Sequence, residues 1–228
     1  MLAELLQLKY FAILESIVLM TVFLYYGHGR VLTKYFDDNK AYRLHFLAAF
    51  VLFFIVPLVT LFIYGKNPMD FGLKLGDWQN GLLWAAGGWV VAVIVAITNS
   101  PIPEMRKQYP FSKKAMDSPR SFFTFELTYL FLYYTGWEFL FRGFMLFTLA
   151  EIDPMLGILV PVIPSVLLHI GHPASETWSA VIAGVVFGYV AWSTGSILYP
   201  WLIHAAFGIS MDIAIYLRAK GRKTHAAS

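Results

Sequence analysis

The sequence predicts an all-α, polytopic membrane protein with seven or eight transmembrane helices. Of its 228 residues, 58% are hydrophobic and only 14% are charged, whereas an ordinary soluble domain is about a quarter charged. The apolar residues are gathered in seven long runs, and roughly 20 such residues suffice to cross a bilayer as a helix. Because no region has the composition of a soluble domain, we expect residues 1–228 to form a single transmembrane domain.

The seven predicted spans follow one another along the chain with polar connections between them. The first has no small-residue cleavage site, so we expect a retained helix and not a signal peptide. The fourth is long for one span, and a break at Gly136 would divide it and give eight helices. The runs cover about 5–26, 44–64, 81–98, 122–150, 155–171, 179–193 and 196–217.

Lysine and arginine are distributed unequally between alternate connections. They cluster after the first run, after the third run and in the C-terminal tail, whereas the other connections hold only Lys66 and Lys74. Cytoplasmic loops carry such an excess, so we expect a multi-pass protein of the cell membrane with its C-terminus in the cytoplasm and its N-terminus outside. No basic stretch is long enough to indicate nucleic acid as a partner, and the absence of cysteine excludes thiol nucleophiles and cysteine-type zinc sites.

Ionisable side chains interrupt several of the apolar runs. A charge at mid-bilayer costs about 2.5–3.5 kcal/mol on insertion scales, so each such residue is a functional hypothesis by default. Glu138 and Arg142, in "GWEFLFRG", are four residues apart and would share one helix face, as either a structural ion pair or part of a site. The other candidates are Glu15, Glu126, His169, His204 and Asp212.

Two histidines lie in apolar surroundings, and a carboxylate follows each of them. His169 lies in "SVLLHIGHP", ahead of a turn at Pro173, with Glu176 seven residues later. His204 lies in "YPWLIHAAFGISMDI", with Asp212 eight residues later. A lone histidine in an apolar helix is more often a packing residue than a catalyst. Two histidines together with a Glu–Arg pair favour acid–base or metal chemistry.

The characteristic motifs of other intramembrane proteases, His-Glu-x-x-His and Gly-x-Gly-Asp, are absent, as is the Gly-x-Ser-x-Gly elbow. The residues instead resemble the CAAX proteases and bacteriocin-processing enzymes, a family that includes the Ras-converting CAAX endopeptidases. The resemblance covers about 120–217, with three pieces in the family's order. "WEFLFRG" (137–143) resembles Glu-Glu-x-x-x-Arg-Gly, the His169 segment resembles Phe-x-x-x-His, and "GVVFGYVAWSTGSILYPWLIHAAFG" (184–208) resembles the stretch leading into the last histidine motif.

This resemblance implies an all-helical membrane fold of about eight spans. It also implies an intramembrane endopeptidase that hydrolyses a peptide bond of a membrane-associated protein or peptide, with membrane lipids as further partners. In the family, a glutamate and a histidine are held to activate water, and another histidine and an asparagine to stabilise the oxyanion. This chain departs from the pattern at three positions, because Trp137 replaces the first glutamate, Gly208 the asparagine and Ser165 the phenylalanine.

The departures leave two interpretations of function. The chain is either a catalytically inactive scaffold or immunity-type relative, or an enzyme in which another carboxylate has taken the missing role. In an enzyme, Glu138 or Glu176 would be the general base, His169 would hold the water and His204 would donate to the oxyanion. Asp212 is a further candidate for the missing carboxylate.

Three further alternatives concern the role of Arg142, a zinc ion and a transport function. Arg142 would orient Glu138 but would also stabilise its ionised form, and this favours Glu176 as the base. His169 and His204, with a carboxylate, could instead bind Zn²⁺, and the sequence leaves open both a metal and a metal-free mechanism. A small proton-coupled transporter is disfavoured because no repeat halves are visible. The enzyme interpretation requires these residues to converge on one cavity, although chain order puts His169 nearer one membrane face than its expected partners.

Overall fold

The computed structural model describes residues 7–226, which are entirely without β-strands. The predicted start of the first span, at residue 5, lies outside this range. Eight helices can be named within it: α1 (Leu8–Leu32), α2 (Asp38–Ile63), α3 (Trp78–Asn99), α4 (Pro103–Gln108), α5 (119–150), α6 (Pro154–Leu167), α7 (Ala174–Thr194) and α8 (Leu198–Ala226). The predicted all-α class is therefore confirmed.

Within the described range, five helices are long and apolar enough to cross a membrane, namely α1, α2, α3, α7 and α8. Their outward side chains are mostly large and apolar, such as Ile63 and Leu83, which are about three-quarters exposed. Such faces are unfavourable in water and favourable against lipid. The chain is thus a helical membrane protein, while the total of seven or eight spans stays a prediction.

Helix α5 lies at the centre of the bundle and is continuous through Gly136, so the predicted break is wrong. It includes two π-helical turns, Tyr129–Tyr134 and Phe139–Met145, a distortion frequent at functional sites. Gly136 instead permits close packing against α2, because a Cβ atom there would lie 2.5 Å from the Ala49 carbonyl oxygen. The side chains of Phe139, Leu140, Phe141 and Phe144 are completely buried.

Helix α6 is shorter than the predicted fifth span, which was expected to reach residue 171. At about 1.5 Å per residue it covers roughly 21 Å, less than the hydrocarbon thickness of about 30 Å. Its helical geometry ends at Leu167, and Gly171 adopts φ 92°, a conformation that favours glycine. His169 therefore lies in a turn, and the chain reverses before α7 begins.

Replacing Gly136 by alanine should destabilise the protein. The added methyl group meets the α2 backbone, which has little room to move, and overpacking of this kind costs about 1–3 kcal/mol. Gly87→Ala is the matched control, because no atom lies within 4 Å of a Cβ at that position in α3. It should be neutral or stabilising by about 0.5–1 kcal/mol. Equal thermal unfolding temperatures for the two variants in detergent would contradict this packing.

Candidate active site

The first polar group of the site joins α5 to α8. Oε1 of Glu138 lies 2.5 Å from Nδ1 of His204 and 3.5 Å from a guanidinium nitrogen of Arg142. Since a carboxylate can only accept, Nδ1 of His204 carries the proton. The Glu138 side chain is fully buried and that of Arg142 is 4% exposed. The structure thus brings three of the predicted residues together, as a buried ion pair with a histidine attached.

The second group lies at the turn between α6 and α7 and is centred on Glu176. Its Oε1 accepts from Nδ1 of His172 at 2.7 Å and from the Tyr109 hydroxyl at 2.5 Å. Burial, and next the nearby charge of Glu176, raise the pKa of the Tyr109 phenol well above its usual range, so the phenol is a permanent donor. In contrast to Glu138, the Glu176 side chain is 18% exposed and has no cationic arginine or lysine partner among the described ion pairs.

His169 belongs to this second group and not to the first. Its ring centroid lies 5.5 Å from that of His172. Its Nδ1 lies 2.8 Å from the Ser165 carbonyl oxygen, which can only accept, so Nδ1 carries the proton and Nε2 of the neutral ring is an acceptor. The replacement of the family's phenylalanine by Ser165 leaves this backbone contact intact, because the contact uses only the carbonyl group.

Asp212 lies apart from both histidines. Its fully buried carboxyl group is adjacent to that of Glu126, so this third group links α8 to α5. Apart from the hydrogen bond that the two carboxyl groups can share when one of them is protonated, neither has a hydrogen-bond partner among the described residues. The prediction that Asp212 joins His204 at a site is therefore not supported by the geometry, since Asp212 faces another acid.

Trp137 lies between the first and second groups. Its buried indole has its ring centroid 5.5 Å from that of His169 and 6.2 Å from that of His204, edge-on to both. The tryptophan that replaces the family's first glutamate thus fills space between the two histidines. The convergence of His169 and His204 on one opening stays a prediction, and the Trp137 ring would border any such opening.

The side chains present do not fit the zinc site suggested from the sequence. Among the described residues, no three or more His, Cys, Asp or Glu side chains are placed so that they could hold a metal ion. His169 and His204 each have their Nδ1 in a hydrogen bond and the Trp137 indole between them. We therefore derive no catalytic step through a metal.

The second departure from the family, Gly208, is explained by a neighbouring tyrosine. A Cβ atom at position 208 would collide with the hydroxyl oxygen of Tyr134, which comes from α5. The Tyr134 ring also packs against His204 at a centroid distance of 4.8 Å. The space that an asparagine side chain would need is occupied by this phenol.

A small cavity of about 20 Å³ opens beside the second group. A cavity of this size holds a water molecule or two. It is close to the ends of α1 and α6, where the Arg30 guanidinium donates to the Gly171 carbonyl oxygen at 2.8 Å. The polar residues that line it are His28, Arg30, Tyr42, His45, Gln108, Tyr133 and His172.

Several of these residues were missed by the sequence interpretation. His172 is not among the candidates named from the sequence, although its spacing of four from Glu176 predicts a contact between the two side chains. Tyr109, His28 and His45 belong to other parts of the chain, and no local pattern indicates that they meet the α6–α7 turn. Only the packing of α1, α2 and the segment after α4 brings them there.

Arg142→Met should destabilise the protein by about 3–5 kcal/mol, because it leaves the buried Glu138 carboxylate without its cation. The double variant Glu138→Gln/Arg142→Met should recover much of this loss. Lys66→Met is the control: it removes an exposed ion pair with Glu151, which contributes at most about 1 kcal/mol. Unfolding free energies in detergent test the series, and equal losses for Arg142→Met and Lys66→Met would contradict the burial argument.

Comparison with known proteins gives one match. Residues 119–210 match the family model described as type II CAAX prenyl endopeptidase Rce1-like. No curated protein and no solved structure matches the chain. The matched segment contains Glu138, Arg142, His169 and Glu176, as well as His204, and runs from the start of α5 into α8. In this segment the chain is therefore similar to the CAAX protease family, and the segment lies within a multi-pass helical membrane protein.

Proposed function

We propose that this protein is an intramembrane endopeptidase in which Glu176 is the general base. The observation that carries the proposal is the environment of Glu176. Its side chain is 18% exposed and lies in the same group as His169. Tyr109 and His172 hold its Oε1, whereas its buried Oε2 has no hydrogen-bond partner among the described residues and so is left to accept from a water molecule. Among the predicted carboxylates, Glu138 and Asp212 are both fully buried.

Glu138 is a poor candidate for the base, although it is the glutamate retained from the family motif. The neighbouring guanidinium of Arg142 stabilises the ionised carboxylate, and His204 donates to the same oxygen. A carboxylate paired with a permanent cation has little tendency to take a proton from water. Glu176 also accepts hydrogen bonds, but it has no arginine or lysine partner among the described ion pairs. We therefore assign Glu138, Arg142 and His204 to holding α5 against α8.

The proposed reaction begins with a water molecule beside the second group. Glu176 removes a proton from this water while Nε2 of His169 accepts its other hydrogen bond, and the resulting hydroxide attacks the carbonyl carbon of the scissile peptide. The proton taken up by Glu176 is then delivered to the leaving amine as the C–N bond breaks. Tyr109 and His172 orient the carboxylate by binding one of its oxygens, Oε1.

The proposal includes an orientation in the membrane. If α5 and α6 cross together with the five apolar helices, the chain has seven spans. The connections 33–37 and 100–118 and the C-terminal tail then share one side, with the Glu176 group nearest to it. The lysines and arginines of the chain are concentrated there, including Arg30, Lys40 and Arg43 in the helix ends that flank 33–37. Basic loops favour the cytoplasm, so we infer that this side and the C-terminus face the cytoplasm of a cell. The substrate would be a membrane-associated protein or peptide that approaches from there.

A second candidate function is a non-catalytic membrane scaffold. It is favoured by Trp137, which fills the space between the histidines, and by Tyr134, which occupies the space of a side chain at position 208. Both features remove groups to which the family's chemistry is assigned. The two candidates differ in one observable property, namely whether any peptide bond is cleaved.

Glu176→Gln should reduce cleavage by about 10²–10⁴-fold, the usual contribution of a general base. The measurement uses the purified chain in proteoliposomes with a fluorogenic, farnesylated peptide carrying a CAAX terminus. It is accompanied by a comparison of membrane-protein fragment termini in cells expressing each variant. Asp212→Asn is the matched control, because it also removes a carboxylate charge from the bundle but should leave the rate within about tenfold.

Two results would contradict the proposal. Undiminished cleavage by a folded Glu176→Gln variant would show that Glu176 is not the base. Identical fragment termini for the wild type and Glu176→Gln, together with no turnover of the peptide, would favour the scaffold.

Tyr109→Phe should lower kcat with little change in KM, because the phenol orients Glu176 and does not bind substrate. Tyr199→Phe provides the control: this buried hydroxyl donates to the Leu75 carbonyl oxygen at 2.7 Å, at the far end of the bundle. Both variants lose a comparable hydrogen bond, so both should unfold at slightly lower temperature. If Tyr199→Phe lowers kcat as much as Tyr109→Phe, the effect is one of stability, and the positioning role is wrong.

A further inference from the structure

An open groove of about 410 Å³ lies between the start of α2 and the middle of α5. It is remote from the Glu176 group, and none of the residues assigned above to catalysis lines it. Both of its walls are helices of the membrane bundle. The lining residues that matter for its chemistry are Asn39, Lys40, Arg43, Leu44, Leu47 and Leu132.

The groove is cationic at its mouth and apolar below. Lys40, Arg43, Leu44 and Leu47 recur at helical spacing and so share one face of α2. The two basic residues belong to the first turns of the helix, at the end of the bundle where the chain's lysines and arginines collect. Leu47 is 45% exposed and lies about 10 Å further along the helix axis than Lys40.

The positive charge at the mouth has no full counter-charge from the protein. The Arg43 guanidinium donates to neutral oxygens, those of Asn39 at 3.1 Å and of the Thr124 side chain at 2.9 Å. Among the ion pairs of the described residues, none includes Lys40 or Arg43. The one acid in the lining, Asp37, caps α2 by accepting from the backbone N–H groups of Asn39 and Lys40, and it lies 3.9 Å from Lys114.

We propose that this groove binds an anionic phospholipid. Its phosphate would lie at Lys40 and Arg43, and one acyl chain would follow Leu44, Leu47 and Leu132 into the membrane. Charge complementarity selects an anionic headgroup, because basic pockets between transmembrane helices attract anionic lipids. The apolar lower half selects a molecule with a hydrocarbon chain, and a free phosphate ion has none.

A lipid in this position would contact α2 and α5 together. Arg43 already joins these helices through Thr124, so the headgroup would reinforce an existing contact. The lipid would therefore stabilise the helix that carries Glu138 and Trp137. This inference does not depend on the proposed peptidase activity, and its test needs no substrate.

The test uses the full chain reconstituted in vesicles of phosphatidylcholine alone or in an equal mixture with phosphatidylglycerol. Native mass spectrometry of protein released from the mixture measures which lipid is retained, and thermal unfolding measures stabilisation. The wild type should retain phosphatidylglycerol preferentially and unfold at higher temperature in the mixture. Lys40→Gln should weaken this preference about fivefold, as expected for one basic residue at a membrane surface.

Lys107→Gln is the matched control, because Lys107 is an exposed lysine at the same end of the bundle but outside the groove. A second variant, Leu47→Trp, fills the apolar half without changing charge and should also reduce retention. Equal effects of Lys40→Gln and Lys107→Gln would show diffuse attraction and overturn the proposal. Unchanged retention in Leu47→Trp, or no preference for phosphatidylglycerol in the wild type, would overturn it too.

Discussion

The burial of Glu138 and Arg142 in the middle of α5 is the constraint on which the architecture depends. A helix that carries a carboxylate and a guanidinium at its centre cannot face lipid, so protein must surround it on every side. This requirement explains why α5 is the interior helix, and why the more apolar helices enclose it. It also explains the position of His204, which brings α8 to the same carboxylate.

Trp137 separates the polar residues of the bundle into two groups, one around Glu138 and one around Glu176. In the family motif that this segment resembles, a glutamate stands at this position. Here an indole packs against the rings of His169 and His204, and the polar residues separate into a buried group around Glu138 and a partly accessible group around Glu176. The buried group has the properties of a structural ion pair. We propose the group around Glu176 for acid–base chemistry because it has no arginine or lysine partner among the described ion pairs, and because Oε2 of Glu176 has no hydrogen-bond partner among the described residues.

The sequence predicted the helical membrane fold well, since apolar runs record the contact with lipid directly. It also predicted the pairing of Glu138 with Arg142, because both residues lie on one helix and spacing decides the contact. The predicted end of the fifth span, at residue 171, is wrong, because α6 ends at Leu167. The apolar residues continue to Ile170, so the hydropathy pattern does not mark the turn that Gly171 makes with its positive φ. The contact between Tyr109 and Glu176 joins segments remote in the chain, and only the packed bundle determines it.

The central claim is that Glu138 and Arg142 hold the bundle together while Glu176 performs the chemistry. It is tested most directly by the cleavage rate of the folded double variant Glu138→Gln/Arg142→Met, which removes both buried charges and keeps similar side-chain volumes. The account predicts a rate within about tenfold of the wild type, because a neutral pair of similar shape can replace a buried ion pair. A rate as low as that of Glu176→Gln, in a double variant that unfolds at the wild-type temperature, would contradict it.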